Sequence, residues 1–81
     1  MIIRIIKLNS AGMITGAVDC TTFDDAAELM QLDPHDIQWA IEEHGRCDGM
    51  YEDERVIAWI PTGRDKDGNI DLTPPPMPTI Q

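Results

Sequence analysis

Four side chains in this sequence belong to the types that hold a zinc ion: Cys20, His35, His44 and Cys47. Structural zinc sites are usually built from closely spaced ligand pairs such as C-x-x-C. Only His44 and Cys47 have such a spacing, and no second pair accompanies them. We therefore expect both cysteines to be free thiols and the chain to bind no zinc.

The segment 65–71, DKDGNID, has the composition of a calcium-binding loop. When Gly68 is aligned with the invariant glycine of such a loop, the first ligand position falls on Gly63 and the last on Pro74. Neither residue has a carboxylate, so the first ligand and the bidentate ligand are both missing. The sequence predicts no calcium site, and we expect no metal and no cofactor of any other kind.

No pattern in the sequence supplies a nucleophile together with a base. The motifs G-x-S-x-G and H-E-x-x-H and the phosphate-binding loop are all absent. Glu42 and Glu43 are adjacent, so they point to different sides of a helix and do not form an acid/base pair. We expect the chain not to be an enzyme.

Carboxylates are the dominant chemical feature of the chain, which has 15 Asp and Glu against 6 Lys and Arg and a net charge of −9. The window 19–54 holds twelve of these acids and a single basic residue, Arg46. Such a surface repels nucleic acid and attracts basic protein surfaces. The alternative is that the acids serve only to keep the domain soluble.

The acids of the predicted helices and the following loop are the candidate partner-binding residues. Helix N-termini favour acids, which is a sufficient reason for some of them, but the run 52–54 has no such explanation. Trp39 is added because it lies off the apolar stripe of its helix and aromatic residues dominate interface hot spots. The full predicted set is Asp24, Asp25, Glu28, Asp36, Trp39, Glu42, Glu43, Glu52, Asp53 and Glu54.

The elements that position these residues begin with a β-hairpin. Residues 2–8 and 13–18 are rich in β-branched and apolar side chains, and Asn9, Ser10 and Gly12 between them are turn formers. Residues 55–61, RVIAWIP, predict a third strand closed by Pro61, with Trp59 in the core. The intervening segment 45–54, GRCDGMYEDE, reads as a loop.

Two short helices are predicted between the hairpin and the third strand. Thr22 is placed to cap the first, with apolar residues at helical spacing from Phe23 to Met30. Asp33 and Pro34 begin the second, whose apolar face runs from Ile37 to His44. Gly45 is placed to end it in a left-handed conformation.

The chain of 81 residues has room for one domain. We predict an α+β fold with the order ββααβ, in which the hairpin and third strand pack on the two short helices. The domain spans residues 1–61. From residue 62 the composition changes to a proline-rich sequence, which predicts an extended tail over 62–81.

The spacing of Ala27, Leu32 and Ile37, five residues apart, is typical of a helix-turn-helix. Over residues 5–60 the chain resembles the helix-turn-helix modules attached to homing endonucleases, the intron-encoded nuclease repeats. The matching phrases are KLNSAGMITG, TFDDAAELMQLDPHDIQWAI and RVIAW. The resemblance implies a hairpin, a helix pair and a closing strand. It departs where DNA would be read, because the second helix carries Glu42 and Glu43 and no Lys or Arg.

In size, acidity and lack of catalytic motifs the chain also resembles the small inhibitors that bacteriophages make against host nucleic-acid machinery, including anti-CRISPR proteins. Carboxylates spread over adjacent helices can imitate the phosphate charge of duplex DNA, one charge per roughly 1.7 Å. The resemblance implies action in the host cytoplasm by occupation of a basic surface.

We therefore expect a small acidic protein-binding inhibitor that acts by charge mimicry on a basic nucleic-acid-binding protein or complex. We expect no direct binding to nucleic acid. We expect no membrane association either, since no apolar run approaches the roughly 20 residues that span a bilayer. Two alternatives remain open: a helix-turn-helix DNA-binding module, and a structural or assembly protein such as a homodimer formed through Trp39.

Overall fold

The computed structural model describes residues 1–61 and 72–76, and within them it contains two helices and one four-stranded sheet. The elements in chain order are β1 (Ile3–Leu8), β2 (Ile14–Cys20), α1 (Phe23–Met30), α2 (Pro34–His44), β3 (Cys47–Tyr51) and β4 (Glu54–Trp59). None of the helices in this part of the chain is long and apolar enough to cross a membrane.

The sheet is antiparallel throughout, with the spatial order β2-β1-β4-β3. Ile5 at the middle of β1 pairs with Val18 of β2 on one side and with Ala58 of β4 on the other. β1 and β4 are therefore central, and β2 and β3 form the two edges. The α+β fold class and the N-terminal hairpin are confirmed.

The structure adds one strand, because β3 forms within the segment 45–54 that the sequence indicates as a loop. Pairing with β4 supplies the backbone hydrogen bonds of this short strand. Its central residue, Gly49, lies under the turn between the helices. A Cβ atom there would come within 3.1 Å of the Leu32 side chain and 3.4 Å of Val56. Glycine, which favours a loop in the sequence, here allows Leu32 to pack closely on the strand.

The predicted helix boundaries are confirmed by the capping contacts. Thr22 accepts a hydrogen bond from the backbone N–H of Asp25, and Asp33 accepts one from that of His35, so one free N–H of each first turn is satisfied. Pro34 follows at the start of α2. Gly45 ends α2 with a φ of 84°, in the left-handed region that favours glycine.

Both faces of the sheet carry buried side chains. The helices cover one face, where Ile3, Met30 and Ile37 are the largest fully buried residues. Ile6, Ile57 and Trp59 form a second cluster. They alternate with the first set along their strands, so they point to the opposite face. Trp59 is 2% exposed, which confirms its predicted place in the core.

The described part of the proline-rich tail, residues 72–76, has neither helix nor strand and lies against the domain. The Arg46 guanidinium donates a hydrogen bond of 2.9 Å to the carbonyl of Pro75. Leu72 borders a shallow cavity with Arg4, Ala17 and Asp19. This segment therefore contacts the side of the sheet that the helices leave open. The domain boundary at residue 61 stays a prediction.

An ion pair between a buried arginine and a partly exposed carboxylate joins β1 to the edge strand β2. The side chain of Arg4 is 9% exposed, and its Nε and a terminal nitrogen donate to the two carboxylate oxygens of Asp19 at 2.9 and 3.0 Å. These hydrogen bonds hold the pKa of the Asp19 carboxyl below its ordinary value of 3.8. The geometry is the bidentate one in which Arg–carboxylate pairs are strongest.

The β3–β4 connection is a two-residue turn that the sequence does not favour. Glu52 and Asp53 both have positive φ, 51° and 68°, as a type I′ turn requires. That turn prefers Asn-Gly, because side chains with a Cβ are strained in the left-handed region. The turn therefore costs stability at both positions.

We predict that Glu52→Asn combined with Asp53→Gly raises the free energy of unfolding by about 1 kcal/mol, because the new residues accept positive φ. Urea denaturation measures the change. The control variant Glu28→Gln, Glu43→Gln also removes two negative charges, but from helical positions. An equal gain in both variants would show that charge, and not turn geometry, is responsible.

We predict that Asp19→Asn lowers the free energy of unfolding by about 1 kcal/mol, a modest value because the Asp19 side chain is 44% exposed. Because the folded pKa of Asp19 is depressed, its contribution is present above the unfolded value of 3.8 and is lost as the pH falls through the folded pKa.

The difference between the wild type and Asp19→Asn should accordingly be constant near neutral pH and shrink in acid. Denaturation curves across pH measure it, and taking the difference cancels the contribution of the other carboxylates. A difference that grows as the pH falls would contradict the ion pair.

Candidate functional site

The exposed face of α2 carries a tryptophan among carboxylates. Asp36, Trp39 and Glu43 recur at intervals of three and four residues, so they lie on one side of the helix. Trp39 is 58% exposed, and its ring makes an edge contact with that of His44 at 5.2 Å. Trp39 therefore lies off the buried stripe, as predicted.

His44 is itself exposed, so the expectation that it belongs to the buried face of α2 is wrong. The apolar stripe ends one turn earlier, at Ile41. The ring of His44 instead lies against Trp39 on the outer side of α2. Glu42, which is also exposed, accepts a hydrogen bond from Gln38 at 3.0 Å. The outer surface of α2 is therefore ordered by contacts along the helix.

The acids of α1 are also exposed. Asp24 and Asp25 occupy the first turn of α1 and Glu28 the next, and all three are exposed. The two helices are joined by only three residues and both pack on the first core cluster. We call the exposed acids of α1 and α2, together with Trp39, the helical acidic face. Its members are Asp24, Asp25, Glu28, Asp36, Trp39, Glu42 and Glu43.

The three predicted acids of the segment 52–54 lie apart from the helical acidic face. Glu52 and Asp53 form the tip of the β3–β4 hairpin, and both are exposed. Glu54 is half-buried and accepts a hydrogen bond of 2.8 Å from the hydroxyl of Thr15. No contact among the described residues joins them to the acids of the helices. The structure thus divides the predicted set into a helical group and a hairpin group.

Basic side chains within residues 1–61 are engaged by structural partners. Arg4 binds Asp19, and Arg46 binds Asp48 through two hydrogen bonds of 2.7 Å. Arg55 approaches Asp48 at 3.7 Å. Lys7 lies over the ring of Tyr51, 4.9 Å from its centroid. Over the described ranges, none of these cations forms a salt bridge with the helical acidic face.

Both thiols are free and buried, as expected. Burial is the main cause that raises the pKa of each thiol, and Asp25 adds to the effect at Cys20 as Asp48 does at Cys47. Raised pKa values keep thiols protonated and unreactive at neutral pH. No group of three potential metal ligands occurs in the described ranges. The segment 65–71 lies outside them, so the expected absence of a metal stays a prediction.

A groove of about 430 Å³ opens between α1 and the edge strand β2. Val18 and Leu29 form its two sides, and Ile5, Tyr51 and Val56 contribute apolar surface below them. Both Val18 and Leu29 are exposed. The groove was not predicted. Its one sequence signal is Leu29, an apolar residue outside the stripe from Phe23 to Met30.

The chain matches no protein-family model, and neither the curated proteins nor the solved structures contain a significant match to it.

We predict that added salt stabilises the fold, because acids without cationic partners repel one another and counter-ions screen that repulsion. Thermal unfolding measured between about 0.02 M and about 0.5 M NaCl should show a rising midpoint. The variant Asp24→Asn, Glu42→Gln, Glu43→Gln should start from a higher midpoint and respond less to salt. A wild-type midpoint that falls with salt would contradict unneutralised charge.

Proposed function

We propose that this protein is a small acidic inhibitor that binds a basic nucleic-acid-binding protein or complex by charge mimicry, and that it is not an enzyme. The proposal places it in the cytoplasm of a bacterial host, as a bacteriophage product of the anti-CRISPR type. Nucleic acid would then be excluded from its partner by competition for the same surface.

One observation carries the proposal: the arginines within residues 1–61 pair with acids outside the helical acidic face. Exposed acids beside a lysine or arginine would present little net field. Here Asp19 and Asp48 are the acids that arginines neutralise. In the described ranges no salt bridge joins a lysine or arginine to a carboxylate of α1 or α2. A fixed array of unneutralised carboxylates on packed helices supports recognition by a partner's lysines and arginines.

Trp39 supplies the second component of such an interface. Charge pairs at the rim of an interface mainly increase the association rate, whereas buried aromatic anchors supply much of the affinity. Trp39 is exposed at the centre of its acidic surroundings, and the contact with His44 restrains its ring. We infer that Trp39 enters an apolar pocket of the partner while the carboxylates around it meet basic side chains.

The helix pair favours the alternative of a DNA-binding module, since α1 and α2 are joined as in a helix-turn-helix. The charge of α2 opposes it. Its exposed positions include Asp36, Glu42 and Glu43, and no Lys or Arg occurs in the helix. Contacts from lysine and arginine to phosphate supply most of the non-specific affinity for DNA. Charge mimicry is therefore the function that these residues support better.

The test begins with capture of partners from a bacterial lysate on the tagged protein, washed at low and then high salt, with mass spectrometry of the eluate. The recovered protein is then purified and bound to fluorescent duplex DNA, and the present protein is added as competitor. We predict displacement of the duplex. The variant Asp24→Asn, Glu42→Gln, Glu43→Gln should compete about tenfold less well.

The control variant Ser10→Lys, Ala11→Lys, Met13→Lys changes the net charge by the same amount on the exposed β1–β2 loop. It should compete nearly as well as the wild type, because mimicry depends on where the charge lies. Recovery of DNA, or of the chain alone, would contradict the proposal. So would equal loss of competition in both variants.

A further inference from the structure

The edge strand β2 carries neither lysine nor proline, and its register shift lies near its start, opposite Lys7 and Leu8. Edge strands are usually short, or carry lysine or proline at exposed positions. β2 is seven residues long, ITGAVDC, and contains none of these. Its one charged residue, Asp19, is bound to Arg4. Ile14 and Val18 are exposed by 44% and 43%. Among residues 1–61 and 72–76, no strand other than β1 pairs with β2.

The opposite edge, β3, is protected by comparison. It is five residues long, and its Asp48 is held by Arg46 and Arg55. Arg46, directly before the strand, also binds the carbonyl of Pro75. The two edge strands thus differ in length and in side-chain contacts, and β2 is the better candidate for pairing with an added strand.

The groove between β2 and α1 gives an added strand a place for its side chains. Val18 and Gly16 pair with Ile5 and Lys7, so all four lie on the sheet face that α1 borders. Gly16 leaves open space, since a Cβ built on it meets no atom within 4 Å. A strand that pairs with β2 would direct every second side chain toward Val18 and Leu29, into the open space above Gly16.

Charge decides which kind of strand fits. Lys7 lines the groove from the β1 side, where it lies over the ring of Tyr51 and contributes a positive charge. Glu28, on the α1 side, is exposed and has no salt bridge within the described ranges. Asp25 is one turn away on the same helix. The two charges lie on different sides of the groove, so a bound strand fits best with a lysine or arginine toward Glu28 and an apolar residue toward Lys7 and Tyr51.

The same charges disfavour a second copy of this chain as the occupant. Two copies paired antiparallel through β2 would be related by a two-fold axis normal to the sheet, so their helices would lie on the same side. The two α1 helices would then face each other across the junction. Asp24, Asp25 and Glu28 of one copy would lie opposite their counterparts, and like charges in such an arrangement repel.

We propose that β2 and the groove beside it form a second binding site, which takes an extended basic-apolar segment of a partner protein by strand addition. Main-chain hydrogen bonds to β2 supply affinity, and the groove selects an apolar side chain next to a cation that pairs with Glu28. The site shares Glu28 with the helical acidic face but uses neither Trp39 nor the acids of α2, so loss of binding at one site can be distinguished from loss at the other.

The test uses the synthetic peptide acetyl-KTVTKTV-amide, whose lysines and valines share one face when it is extended. Titration into the isotope-labelled protein is followed by NMR. We expect shifts of the backbone amides of residues 16–19 and of the methyl groups of Val18 and Leu29. The acidic peptide acetyl-ETVTETV-amide, and a version of the basic peptide N-methylated along the edge that faces β2, should produce neither.

Two variants locate the site without threatening the fold. Gly16→Val fills the groove with a residue that strands favour, and Glu28→Lys reverses the charge at its side. Gly16→Val should abolish peptide binding, and Glu28→Lys should weaken it about fivefold. The matched control Glu43→Lys, on α2, should leave affinity within about twofold of the wild type.

Absence of β2 shifts with the basic peptide would overturn the proposal, as would equal binding by the N-methylated peptide. Equal loss in the Glu28→Lys and Glu43→Lys variants would show attraction to overall charge and would also overturn it. Shifts in β2 that appear on raising the protein concentration alone would identify a second copy as the occupant instead.

Discussion

The rest of this structure depends on which acids the small number of cations pair with. The chain has 6 Lys and Arg for 15 acids. Arg4 ties the edge strand β2 to β1 through Asp19, and Arg46 joins Asp48 at β3 to the tail at Pro75. A domain of this size buries little apolar surface and gains from each such fastening. Because these arginines pair with acids of the sheet, the described part of the chain has no salt bridge from a lysine or arginine to the acids of the helices, and the helical face is negative.

The core explains why that negative surface lies on α1 and α2. The helices contribute small and medium apolar residues to one face of the sheet, with Ala26 and Met30 from α1 and Ile37 and Ile41 from α2. This packing buries the inner sides of both helices, so their charged residues lie on the outer sides. The helix pair crosses close to β3 at Gly49 and leaves part of the sheet near β2 uncovered. The acidic face and the groove are thus two consequences of one packing arrangement.

Local signals were sufficient for much of this fold. Thr22, Asp33 and Gly45 mark helix ends both in the prediction from sequence and in the structure, because capping depends on a few adjacent residues. β3 could not be predicted, since CDGMY has weak strand propensity and becomes a strand through pairing with β4. The separation of the acids at 52–54 from those of the helices depends on that same hairpin. The groove depends on the position at which α1 crosses the sheet, and no local sequence pattern predicts that position.

The two tryptophans allow the most direct test that the helical acidic face is the surface a partner occupies. Trp39 is exposed on α2, whereas Trp59 is 2% exposed within the sheet. Their indole N–H signals can be followed by NMR as the captured nucleic-acid-binding protein is added. Charge mimicry through this face predicts a shifted or broadened Trp39 signal, an unchanged Trp59 signal, and reversal of the Trp39 change by salt. A footprint that spares Trp39 and the amides of α1 and α2 would contradict it.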